Sequence, residues 1–147
     1  NFKTSENSNL ILNFQFSESS NISRFDKLNE INEDNNLKYA QWYYGPQKRL
    51  LSSINYNLTT KNLFDKGSII ISHQYINESR NSRKFNSLEL RSQEEKLQIF
   101  SVNADFSKNI GQKNFISYGV EITKNNLESI GNNYTLSVSN NDIGDIY

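Results

Sequence analysis

Period-two alternation is the feature that most constrains this chain. Five segments, near 9–17, 48–58, 67–77, 96–107 and 114–123, carry apolar residues at every second position. In the first, Leu10, Leu12, Phe14 and Phe16 alternate with Ile11, Asn13, Gln15 and Ser17. The second sets Leu50, Ile54, Tyr56 and Leu58 against Arg49, Leu51, Ser53, Asn55 and Asn57. Ile69, Ile71, His73 and Tyr75 alternate with Ile70, Ser72, Gln74 and Ile76; Phe100, Val102, Ala104 and Phe106 with Ser101, Asn103 and Asp105. The fifth opposes Ile116, Tyr118, Val120 and Ile122 to Ser117, Gly119, Glu121 and Thr123. A strand turns successive side chains to opposite faces, so each segment has one greasy and one mostly wet face. The expected fold is all-β, an antiparallel amphipathic meander of five to six strands. A sixth strand would begin in the alternation at Thr135–Ser139.

The links alternate in length. Residues 18–45, 78–93 and 124–134 read as long polar loops, while 59–66 and 108–113 are short. Gly45-Pro46 marks a bend before the second strand, and Gly111 a hairpin turn. One rival reading is a helix over 88–100, where Leu90, Glu94, Leu97 and Phe100 recur at intervals of three or four.

Composition narrows the classes. No cysteine is present and only one histidine, which removes disulfides, thiolate catalysis and Cys- or His-rich metal sites. The 16 basic and 16 acidic residues balance, so no net field favours nucleic acid. Aromatics reach 12%, too many for simple disorder. No apolar run approaches the roughly 20 residues of a membrane helix. A membrane β-barrel stays open, because its strands are short and half apolar. The absence of methionine, including at position 1, suggests a processed chain or a piece of a longer one.

Strands of about ten residues joined by alternating short and long links match an outer-membrane barrel. The apolar face would then meet lipid, with Tyr56, Tyr75 and Tyr118 in the interfacial girdles. Arg49, Asn55, Gln74, Asn103, Asp105 and Glu121 would face a watery lumen or a plug. The alternative is a soluble or surface β-sandwich that binds protein or glycan, although links above roughly 12–15 residues are uncommon in compact domains. Five or six strands cannot close a barrel in lipid, where open edges leave backbone groups unpaired, so the barrel reading implies a fragment.

Several segments carry a family resemblance. Arg24-Phe25-Asp26-Lys27-Leu28 and Lys38-Tyr39-Ala40-Gln41-Trp42-Tyr43-Tyr44-Gly45-Pro46-Gln47-Lys48-Arg49-Leu50-Leu51 resemble the barrel of TonB-dependent outer-membrane receptors from Bacteroidetes-like bacteria. So do residues 78–85, Gln93-Glu94-Glu95-Lys96 and Tyr118-Gly119-Val120-Glu121. The resemblance spans about 9–123, and makes 1–147 a partial receptor barrel domain. It implies a 22-stranded barrel with an N-terminal plug. Such a receptor carries ferric siderophores, haem or cobalamin across the bacterial outer membrane, in contact with lipid and lipopolysaccharide, and is driven by TonB–ExbB–ExbD. It implies a transporter and no enzyme. The sequence departs from the pattern in lacking the plug, the TonB box and a closing strand.

No catalytic constellation stands out, and neither a cofactor nor a metal is expected. Trp42, Tyr43 and Tyr44 offer a stacking surface for a ligand, or an anchor for a loop base at the membrane interface. Arg80 and Arg83, with Lys84 and Arg91, suit carboxylate or catecholate oxygens of an anionic ferric siderophore. They equally suit lipopolysaccharide phosphates or pairing with Glu78, Glu89 and Glu94. His73 lies on the face assigned to lipid. Glu94 and Glu95 are adjacent, so in a strand they point apart and form no acid–base pair.

Overall fold

The computed structural model describes residues 2–137. Its elements are β1 (Phe2–Ser5), β2 (Ser8–Glu18), β3 (Ile22–Ser23), α1 (Phe25–Leu28), β4 (Tyr39–Tyr44), β5 (Lys48–Thr59), β6 (Lys66–Lys84), β7 (Glu89–Ile110) and β8 (Asn114–Thr135). The fold is all-β and antiparallel, with one eight-stranded sheet. Its neighbours run β1-β2-β5-β6-β4-β3, with β7 paired to β6 and to β8. No hydrophobic residue among those described is buried, so no apolar core is closed over.

Contacts divide the chain into two units. The first comprises, of the described residues, 2–17, Arg49–Tyr75 and Leu97–Asn126. Its strands carry the alternating rows, and the two faces differ as the spacing requires. On one face His73 lies 4.9 Å from Phe100, Phe64 lies 4.8 Å from Phe106, and Phe106 stacks on Tyr118 at 5.5 Å. On the other, polar side chains bond across strands. Asn57 donates to Asn9 at 3.1 Å, Asn13 to Ser53 at 3.1 Å, and Ser68 to Asn55 at 3.2 Å. The Ser72 and Ser101 hydroxyls meet at 2.6 Å, and Arg49 donates to Gln74 at 3.0 Å. In each pair of strands, residue numbers fall on one as they rise on the next, as antiparallel register demands. Gly119 lies under Asp105, where an added Cβ would come 2.5 Å from the carboxylate and 2.7 Å from the Ala104 carbonyl.

The second unit comprises Glu18–Lys48, Ile76–Lys96 and, of the described residues, 127–137. Tyr44 pairs with Arg80 and Trp42 with Ser82 between β4 and β6, and Ile22 pairs with Tyr44 between β3 and β4. Every ion pair among the described residues falls in this unit, including Lys48–Glu18 at 3.1 Å and Lys38–Glu30 at 3.4 Å. Gly45 is buried at the junction of β4 and β5, with φ +110° and a cis bond to Pro46. Its N–H donates to the Ser79 carbonyl at 3.0 Å, and its carbonyl accepts from the Ser79 hydroxyl at 2.6 Å. β6 turns into β7 through 85–88, where Asn86 takes φ 58°, a left-handed conformation that Asn tolerates.

The structure corrects several expectations. Residues 78–93 are not a loop: β6 continues to Lys84 and β7 begins at Glu89. Residues 124–134 lie within β8. Both stretches are mostly polar, and their few apolar residues, such as Leu90, Leu127 and Ile130, do not alternate, so the pattern that identifies a strand is absent while the backbone ladder persists. The supposed loop 18–45 holds β3, α1 and β4. The helix considered over 88–100 is strand β7, paired on both sides. Of the sixth strand expected at Thr135–Ser139, Thr135 ends β8, Leu136 and Ser137 are not strand, and the rest lies outside the described residues.

Candidate functional site

The second unit contains a cleft of about 160 Å³, lined by Trp42, Arg80, Asn81, Ser82, Arg91 and Gln93. β4 supplies the indole, β6 the next three residues, and β7 the last two. Direct partners in an antiparallel pair present their side chains on the same face. The pairings Trp42–Ser82 and Tyr44–Arg80 therefore gather the aromatic and guanidinium groups.

Trp42 is held in place. The Arg24 guanidinium lies 5.1 Å from its ring centre and 5.7 Å from that of Tyr44. The two rings meet edge to face at 4.9 Å. Arg24 donates to the Tyr44 hydroxyl at 3.0 Å and pairs with Asp26. The bonds the guanidinium donates to Asp26 and, second, to Tyr44 raise its proton affinity above the ordinary value. The same pairing pulls the Asp26 carboxyl down. Arg24 thus stays charged over the ring face.

The two arginines of the cleft differ in their partners. Arg80 reaches Glu95 at 3.5 Å, an exposed and weak pair. Arg91 has no acidic partner among the described residues. Two of the three carboxylates expected to neutralise the cluster, Glu78 and Glu94, are engaged elsewhere. Glu78 accepts from Gln47 at 3.2 Å, and Glu94 accepts from Asn77 at 2.9 Å and pairs with Lys96 at 3.4 Å. Among the described residues, no carboxylate lines the cleft.

Of the ligand-contact candidates, the structure brings Trp42 and Arg80 together, with Tyr44 adjoining. Tyr43 pairs with Ser23 and Asn81, and alternation puts its side chain on the other face of β4. Arg83 is buried, donating to the Ser87 carbonyl at 3.0 Å and to Gln41 at 3.4 Å, so it braces the β6–β7 turn. In the first unit, Arg49 and Gln74 bond to each other and Asn55 accepts from Ser68. Asn103 leaves its side-chain oxygen buried without a partner, and Glu121 accepts from Thr123 at 3.5 Å. Asp105 lines an open groove of about 940 Å³ with Asn57, Ser68 and Ser117.

Sequence reasoning missed Arg24, Ser82 and Gln93 as neighbours of Trp42. The available signal was parity: Arg80 with Ser82, and Arg91 with Gln93, share a face once β6 and β7 are extended through the polar segment. Among the described residues, no group of three His, Asp or Glu side chains could hold a metal ion. No protein-family model, no curated protein and no solved structure matches the chain.

Proposed function

We propose that the chain is a barrel segment of an outer-membrane transport receptor of the TonB-dependent type. The whole receptor would take up a ferric siderophore, haem or cobalamin, driven through its plug by TonB–ExbB–ExbD, with no enzymatic step. One observation carries this reading: among the described residues, the first unit has an apolar face that is left exposed. Phe14 is 74% exposed, Val120 59% and Ile122 66%, and no hydrophobic residue among those described is buried. A contiguous face of this kind marks an interaction with lipid or with another apolar surface.

The rows extend over Leu10–Phe16, Leu50–Leu58, Ile69–Tyr75, Phe100–Phe106 and Ile116–Ile122. These bands approach the roughly 9–11 residues of a tilted bilayer crossing. Their partners on the other face bond through Asn, Ser, Gln and Arg, as suits a watery interior. β6, β7 and β8 have 19, 22 and 22 residues, about twice what a crossing needs. The polar second unit, with its ion pairs, suits water.

The test is detergent dependence. The purified chain is expected to aggregate in buffer and to recover strand content, read by far-UV circular dichroism, in micelles of the non-ionic detergent octyl tetraoxyethylene. A monomer in buffer with the same strand content would contradict the proposal.

A further inference from the structure

We infer that the Trp42–Arg80–Arg91 cleft binds the oxyanion of a ring-bearing small molecule, a sugar carrying a phosphate or a carboxylate. The argument uses only the second unit and does not depend on the membrane reading.

Among the described residues, the lining presents two guanidinium groups and no carboxylate. Arg80 is only partly compensated, by Glu95 at 3.5 Å, and Arg91 has no acidic partner among the described residues. Guanidinium forks match phosphate and carboxylate oxygens in charge and geometry. Ser82 and Gln93 add neutral donors from the same lining. Asn81 serves a different purpose: its amide nitrogen donates to the Ser79 hydroxyl at 3.0 Å and to the Gly45 carbonyl at 3.4 Å, which ties β6 to the Gly45 junction.

Trp42 supplies the ring selectivity. Arg24 and Tyr44 pin its indole, so little side-chain freedom is lost when a ligand docks against it. An apolar indole beside two cations suits a molecule with one ring face and one anionic group. The volume of about 160 Å³ suits one such unit and not an extended chain.

Trp42 is the chain's only tryptophan, so its fluorescence reports on the cleft directly. The full chain in octyl tetraoxyethylene, which carries neither sugar nor phosphate, is titrated with glucose 6-phosphate, glucuronate, inorganic phosphate and glucose. A saturable change is expected with the first two, weaker binding with phosphate, and none with glucose. Binding of glucose 6-phosphate but not glucuronate would point to phosphorylated surface saccharides as the source; the reverse would point to soluble sugar acids. Arg91→Gln removes a group with no ion-pair partner among the described residues, so the fold should survive, and affinity should fall about tenfold or more. Arg91→Lys, which keeps the charge, should recover part of it. No response to either anionic sugar, equal affinity for glucose, or unchanged affinity in Arg91→Gln with intact circular dichroism would overturn the inference. Phosphate binding as tightly as glucose 6-phosphate would overturn the role given to Trp42.

Discussion

At the scale of single residues, most of the chain is tolerant, because few side chains are enclosed. Gly45 is an exception. At φ +110° it occupies a conformation that residues with a Cβ rarely adopt. An added Cβ would also come 2.9 Å from the Ser20 carbonyl, which is backbone and cannot swing aside. Gly45→Ala is therefore expected to destabilise the chain by about 1–3 kcal/mol, read by urea titration in micelles. An unchanged midpoint would show that the junction is not held as described. The Gly45-Pro46 bend was legible in the sequence. Its clamp was not, because Ser79 and Asn81 are more than thirty residues away and only the β4–β6 register brings them near. The cleft was half legible for the same reason. Trp42 and Arg80 stand out by residue type, but nothing local says that Arg24 stacks over Trp42 or that Arg83 turns inward to brace a turn.

At the scale of elements, the sequence was clearest where burial chemistry differs between faces. β2 and β5 cover the expected 9–17 and 48–58 almost residue for residue. It was least clear where polar residues dominate and the few apolar ones do not alternate, so the outer parts of β6, β7 and β8 read as loops. The β5–β6 link illustrates what fixes a short connection. Asp65 accepts from the Asn109 backbone N–H at 2.8 Å and from the Asn109 amide at 2.9 Å, docking the link against the end of β7. Those bonds hold the Asp65 carboxyl below its ordinary 3.8. A folded pKa below the unfolded one adds stability that is complete above the unfolded value and is lost as pH falls through the folded one. The stability advantage of the native chain over Asp65→Asn should therefore be constant from neutral pH down to about 4 and shrink below it. Acid titrations of both proteins in micelles check this; an advantage that grows on acidification would contradict the assigned bonds. Asp26 and Glu30, lowered chiefly by Arg24 and Lys27, add acid sensitivity of the same sign.

At the scale of the whole molecule, two chemistries are segregated along the chain. The apolar rows fall in the first unit and the ion pairs in the second. Alternation made the first legible without any contact information, while the second emerges only when sheet pairing assembles 18–48 with 76–96. The central claim is that the apolar face of the first unit meets lipid while its other face meets water. The chain has no cysteine, so a nitroxide can be placed at one engineered cysteine at a time. The most direct measurement is a nitroxide scan of residues 116–123 in lipid vesicles, comparing collision with oxygen, which concentrates in lipid, and with a water-soluble nickel chelate. Oxygen access high at 116, 118, 120 and 122, and nickel access high at 117, 119, 121 and 123, is the predicted result. Equal nickel access at all eight positions would place both faces in water and contradict the account.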